Sequence, residues 1–320
     1  MKSSAIRKQN NQAIPAGSRL WTPANIGNDL VYWMRPEMIR PHNGESTSTS
    51  DLAQNKWIDS SFNGYEAGTP TNQQFSSINT CQFQSAGISF GTQNTKTFPT
   101  YRSSNGSQHG GCLSFSDSNA PRIDPGTGAF TIIGVCRLTR SESASVPYSG
   151  TKLTIASDGN GSSSASNFEY KLTVSSNGSS DPSTLVISAK CGSSTLSNTV
   201  ESKAGNSQIF DEDSFMFAYD RDGSGNAELF NNGVSLATGT GHDADMADTG
   251  PRNIFGLVSA QATGFIYGAD NGGHRMAETI CFNNDDATTR ILCEGYLAHK
   301  YGRQNKLAST HKYRYGPPRV

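Results

Sequence analysis

The chain has 320 residues, with 26 Lys+Arg against 27 Asp+Glu and only 34% hydrophobic residues. That length is ample for a real core in one large all-β domain or two ordinary ones. A net charge of −1 argues against a protein that works by gripping nucleic-acid phosphates, and no apolar run of about 18 residues is present to span a membrane. What fills the gap is Ser, Thr, Asn, Gln and 33 Gly, a composition of short strands and polar turns rather than of a helical bundle.

Residues 1–20 are polar, mildly basic and without periodicity, and read as an arm. The early charges Lys2, Arg7 and Lys8 are followed by no apolar segment, so no secretory signal is expected. An arm of this kind is ordered only when something outside the domain holds it, which makes it the expected contact to a partner. The six cysteines, Cys81, Cys112, Cys136, Cys191, Cys281 and Cys293, lie far apart without metal-site spacing. We expect six free thiols and folding in a reducing cytosol.

The middle of the chain alternates apolar and polar residues. Phe130, Ile132, Cys136 and Leu138 share one face of a predicted strand, as do Phe168, Tyr170, Leu172 and Val174 in the next. Leu185, Ile187 and Ala189 form a third set, and Phe215, Phe217 and Tyr219 a fourth. Clusters such as Asp158-Gly159-Asn160-Gly161 and Ser176-Asn177-Gly178 have the turn chemistry that reverses a chain between antiparallel strands. The clearest hairpins run from Phe215 to Leu236, through the tip 220–226 and the turn Asn231-Asn232-Gly233. Near the end, Asp285 or Asp286 caps a predicted helix that runs to about Tyr301 and stops at Gly302. Its packing stripe is expected along Ile291, Gly295 and Ala298, with Leu292 and Tyr296 beside it. Two-sided packing of such strands gives a β-sandwich, so the expected fold is all-β and antiparallel in two sheets, with one helix.

Candidate chemistry is sparse. Asp220, Asp222, Ser224 and Asn226 have oxygen ligands at the spacing of a calcium loop's first positions, which makes Ca2+ the one cofactor considered. Strands flank this loop, and its twelfth position is Asn231 instead of Glu, so a polar hairpin tip is the alternative. Asp211-Glu212-Asp213 is contiguous and reads as a solvated strand entry. The loop from His242 to Asp248 is acidic and reads as solvated, with a bound cation or a neighbouring subunit as the alternative. Glu278 has Met276 and Ile280 for strand neighbours and is read as structural, without a partner in its own strand. Tyr65, Tyr101, Tyr148 and Tyr267 lie in loop-like contexts where an aromatic face could stack on a sugar, or simply anchor the loop. No nucleophile elbow, P-loop or dinucleotide fingerprint occurs.

Several blocks taken in order resemble a known family. They are Trp21-Thr22-Pro23-Ala24, the segment Asn55 to Gly64, the Tyr219-to-Gly233 hairpin, Met276 to Phe282, the helix Glu294 to Gly302, and the tail Lys306 to Pro318. Together they are similar to concanavalin A-like (laminin-G-like) jelly-roll domains, which recur in phage particle proteins and bacterial surface proteins. The resemblance implies a jelly-roll sandwich over residues 21–305, preceded by the arm 1–20 and followed by a tail 306–320 that packs on the domain or on a partner. It places His299 and His311 at motif positions. The family's hydrolases set acidic residues at alternate positions of one strand, and no such run is found here. The expected function is therefore a non-enzymatic structural protein of a phage virion, a capsid decoration or head-surface component. The alternative is a tail-fibre or surface glycan-binding adhesion module, with calcium dependence as an option, and a glycan hydrolase stands last. Expected partners are other virion proteins through the arm, further copies of the chain and a host glycan, with neither nucleic acid nor membrane.

Overall fold

The computed structural model describes residues 19–40, 56–68, 82–83, 88–93, 96–101, 109–110, 112–115, 128–137, 150–157, 168–176, 182–202, 214–245, 252–256 and 274–320. The arm before residue 19 lies outside the described residues, as do Leu138, Asp211-Glu212-Asp213, Tyr148, Tyr267 and Met246-Ala247-Asp248.

The first half contributes β1 (Leu30–Arg40), β2 (Lys56–Asp59), β3 (Glu66–Gly68), β4 (Gln82–Phe83), β5 (Ile88–Gln93) and β6 (Lys96–Tyr101). Then come β7 (His109–Gly110), β8 (Cys112–Phe115), β9 (Phe130–Arg137), β10 (Gly150–Ser157), β11 (Phe168–Ser176) and β12 (Pro182–Cys191). The remainder are β13 (Ser194–Ser202), β14 (Ser214–Arg221), β15 (Ala227–Asn231), β16 (Val234–Gly239), β17 (Arg252–Gly256), β18 (His274–Phe282) and the helix α1 (Ala287–Lys300). One antiparallel path runs β13-β12-β11-β10-β17-β8-β3-β2-β1-β18-β9-β14-β15-β16, with β5 and β6 branching from β18. Only the small β4–β7 pair is parallel. The architecture is all-β with antiparallel ladders, as the alternation predicts.

The sheet is rolled so that its two end strands meet. The Asn198 amide on β13 donates to the Leu236 carbonyl on β16, and the Leu196 side chain lies where a Cβ on Gly239 would stand. The inner face then encloses Tyr32, Met34, Trp57, Phe130, Ile132, Cys136, Phe168, Tyr170, Leu185, Ile187, Ala189, Phe217 and Tyr219. Phe130, Phe168 and Tyr219 pack ring against ring at 5.3–5.5 Å between centroids, within the range where tilted and edge-on aromatic pairs attract. A register shift between Leu30 and Tyr32 lets the consecutive residues Val31 and Tyr32 both join this core.

The outer face of β1, β18, β9, β14 and β15 carries Leu30, Trp33, Ile133, Val135, Met216, Ala218, Phe230, Ile280 and Phe282, and α1 lies across it. Asp286 caps α1, its carboxylate accepting from Thr288 N at 3.0 Å and Thr289 N at 3.1 Å. Gly302, at φ 68°, takes the left-handed turn that ends the helix, as expected. The packing stripe keeps the expected Gly295 and Ala298, with Leu292 and Tyr296 packed beside it, and adds residues that the pattern does not include. Arg290, Cys293, Glu294, Gly295, Leu297 and Ala298 are buried, whereas Ile291 and Leu292 are only half-buried. Two charged residues join the buried stripe because ion pairs neutralise them, which a hydrophobic pattern does not register.

The tail from Leu307 lies back on α1. Gly295 permits this approach, since a Cβ there would stand 2.6 Å from Tyr313 Cβ. The tail ends in a short ribbon with the first described residues: Trp21 N donates to the Pro318 carbonyl and Val320 N to the Arg19 carbonyl, each at 3.0 Å.

Cys136, Cys191, Cys281 and Cys293 are free and buried. Among the described residues no helix is long and apolar enough to cross a membrane.

Candidate functional site

Two polar clusters tie α1 and the tail to the sheet. The first surrounds Glu278 on β18, whose side chain is 0% exposed. Trp33 Nε1 on β1 donates to its Oε1 at 2.5 Å, while Lys300 Nζ and the Tyr301 hydroxyl donate to Oε2 at 2.6 and 2.7 Å. Lys300 also reaches Glu37 at 3.1 Å and the Tyr296 hydroxyl at 3.2 Å. Burial, with the Glu278 charge beside them, pushes the hydroxyls of Tyr296 and Tyr301 well above the tyrosine range, so both remain donors at neutral pH. The sequence finds no partner for Glu278 within its own strand, and the structure brings three from β1 and the end of α1.

The second cluster is a chain of charges. Asp220 Oδ2 on β14 lies 2.7 Å from Arg290 Nε, Arg290 Nη1 lies 2.5 Å from Glu294 Oε1, and His311 Nε2 lies 2.9 Å from Glu294 Oε2. The Arg290 guanidinium stacks 3.6 Å over the Phe230 ring, which shields these contacts from solvent. Burial pushes the Asp220 carboxyl up to about 7 against the downward pull of Arg290. His299 fastens the tail a second time, its ring 2.7 Å from the Tyr313 carbonyl.

The proposed metal loop is divided between these surroundings. Asp220 belongs to the Arg290 pair. Asp222 is turned to its own hairpin tip, where Oδ1 accepts from Ser224 N and Asn226 N at 2.8 Å each and Oδ2 accepts from the Asn226 amide at 2.6 Å. The Asn226 hydrogen bond holds the Asp222 carboxyl below its usual range. In this arrangement one oxygen of Asp220 faces Arg290, and Asp222 organises the tip by turn chemistry. Among the described residues no group of three or more His, Cys, Asp or Glu is arranged to hold a metal ion. His242 in the acidic loop is buried, its Nδ1 3.1 Å from the Tyr219 hydroxyl; burial and then Arg221 keep its pKa low.

Of the candidate sugar platforms, Tyr65 is half-buried against the inner core and Tyr101 ends β6. A different aromatic is presented to solvent. Phe62, 87% exposed, tips the turn between β2 and β3. Asp59 Oδ1 anchors that turn by accepting from Trp33 N at 2.7 Å and Ser61 N at 2.8 Å. The Asn63 amide donates to the Leu30 and Val31 carbonyls at 3.0 and 2.9 Å, and Arg35 Nε to Ser60 Oγ at 2.8 Å. The Ser61-Phe62-Asn63-Gly64 sequence carries a turn signal, but nothing in it reveals that the tip is pinned to β1 from both sides.

No protein-family model matches the sequence, and no curated protein matches it. Among solved structures the chain is similar to the botulinum neurotoxin serotype C1 binding domain at 12% identity and TM-score 0.47, over 85% of this chain and 53% of that one. It is similar to the binding domain of Paraclostridial Mosquitocidal Protein 1 at 11% identity and TM-score 0.49, over 88% and 53%. The botulinum neurotoxin serotype G binding domain follows at 12% identity and TM-score 0.46, over 86% and 51%. The chain spans about half the length of these structures, and likeness at this level carries no argument about function.

Proposed function

We propose that the chain is a non-enzymatic structural protein of a phage particle, a capsid-decoration or head-surface component built on a lectin-like jelly-roll sandwich. One observation carries the non-enzymatic part. Glu278, Glu294 and Asp220 each lie against a cation that joins α1 or the tail to the sheet, so these buried carboxylates act as fasteners. A glycan hydrolase needs two carboxyl groups facing a shared open cleft, one to protonate the leaving oxygen and one to attack or activate water. Glu278, with no exposed surface and three donors on its two oxygens, has no room for a substrate. The virion assignment draws its support from the sequence resemblance and from the arm, read as an anchor to a shell protein. Gold-labelled antibody on purified particles tests it: label on heads supports decoration, label on tail tips transfers the protein to adhesion, and unlabelled particles overturn both. Release of reducing ends from any polysaccharide would overturn the non-enzymatic reading.

The second reading, a glycan-binding adhesion module, is favoured by the pinned Phe62 turn. The turn's backbone is held in place, and the exposed Phe62 ring at its tip offers an aromatic face on which a sugar ring can stack. Calcium in that reading is held by Asp220, Asp222, Ser224 and Asn226, with the Oδ2 of Asp220 already against Arg290. A glycan array probed with the intact chain, with Phe62→Ala and with EDTA separates these elements. Binding unaltered by both treatments removes the turn and the metal together.

A further inference from the structure

The net charge of −1 conceals an uneven distribution. No Asp or Glu occurs before Asp29 or after Glu294. Four cations precede Asp29, and Lys300, Arg303, Lys306, Lys312, Arg314 and Arg319 follow Glu294. The span from Asp29 to Glu294 therefore holds all 27 acidic residues against the other 16 of the 26 cations, a net of −11. The terminal ribbon sets Arg19 beside Arg319, since Val320 N bonds to the Arg19 carbonyl and Leu20 pairs with Arg319. Lys300 is held by Glu278 and Glu37 and Arg303 is buried, so the exposed charge of this pole among the described residues lies on Arg19, Lys306, Lys312 and Arg319.

This basic pole also presents apolar surface. Tyr315 is 86% exposed, with the Arg314 guanidinium 5.9 Å from its ring centroid, and Leu20 and Val320 are 58% and 46% exposed beside the ribbon. Arg19, Lys306, Lys312 and Arg319 are exposed as well. The pole cannot fold back onto the molecule's own acidic tip. The His311 ring sits against Gly233, at one end of β15, while the Asp222 tip lies at the other, where Gly225 packs against Asp243. Five strand residues separate the two ends by about 17 Å of stiff backbone.

We propose that the basic terminal pole docks on the carboxylate-rich body of a second copy of this chain, head to tail, with Tyr315 and Leu20 as apolar anchors. Charge complementarity selects this occupant, because the span from Asp29 to Glu294 is net negative in sequence and, among the described residues, presents Asp243, Asp245, Asp285 and Asp286 to solvent. Unlike surfaces meet, so the contact is heterologous and propagates into a ring or a filament. The inference rests on the reading of the chain as a structural component and names its partner.

Sedimentation velocity of the full chain tests it. Larger species are expected at about 0.05 M salt and monomer at about 0.5 M, where screening shortens the reach of exposed charges to a few ångströms. Lys312→Glu/Arg319→Glu, Tyr315→Ser and the body variant Asp243→Lys/Asp245→Lys should each weaken self-association about tenfold or more. An equimolar mixture of the two charge-reversed variants should recover it. A monomer at every salt concentration, or association that neither salt nor these variants alter, overturns the proposal. So does binding of heparin or DNA by the pole of a chain that remains monomeric, which would assign the pole to an external polyanion. Particle labelling reads the structural-protein assignment separately, so failure of the one is distinguishable from failure of the other.

Discussion

The two faces of β9 and β14 solve the same burial problem differently. Inward, Ile132, Cys136, Phe217 and Tyr219 enter an aromatic and aliphatic core. Outward, Ile133, Val135, Met216 and Ala218 meet a helix that brings Arg290, Glu294 and Lys300 with it. The inner face depends on shape, and losing volume there leaves a cavity. The outer face depends on charge pairing, and losing one partner leaves an uncompensated ion.

Breaking each face at its centre gives the largest expected effects. Glu278→Ala leaves Trp33 Nε1 without its acceptor and Lys300 with Glu37 as its remaining carboxylate, and should lower unfolding free energy by about 3 kcal/mol. Phe217→Ala should cost about 3–5 kcal/mol by opening the inner core. Denaturant titration measures both, and a Glu278→Ala loss below about 1 kcal/mol would reduce that cluster to decoration.

A pH series sharpens the contrast. The folded Asp220 carboxyl is raised to about 7 by burial, whereas in the unfolded chain it returns to the ordinary carboxylate range near 4. Its contribution is complete below about pH 4 and is lost as pH rises toward 7, because the folded state holds the extra proton in that window. The expected decline is on the order of 4 kcal/mol, about 1.4 kcal/mol for each of the roughly three pH units between the two pKa values. Asp220→Asn should flatten it, and an unchanged slope would mean that another group titrates.

Smaller effects belong to the outer face alone. Gly295→Ala forces Tyr313 away and should cost about 1–3 kcal/mol, with faster limited proteolysis after Leu307 than in the parent chain. Asp286→Ala removes the helix cap and should cost about 1 kcal/mol, read as a lower Tm.

The contrast also explains what could be read in advance. Period-two alternation marks Ile132, Phe217 and Tyr219 as inward because strand geometry is local. The Asp286 cap and the Gly302 stop are equally local, and the helix lies where they predict it. The outer fastening is not local: Trp33 and Glu278 stand 245 residues apart, and Asp220 meets Arg290 only after the helix is laid down. A spacing rule within one loop thus grouped Asp220 with Asp222, although each carboxylate serves a different neighbour. The order of strands and the seam between β13 and β16 were hidden for the same reason.

The terminal ribbon has a topological consequence. With Arg19 and Val320 hydrogen-bonded to each other, the domain is nearly a closed loop of chain. A few linking residues between them, with a new opening cut at the Phe62 turn, would give a circular permutant that keeps every ladder of the rolled sheet.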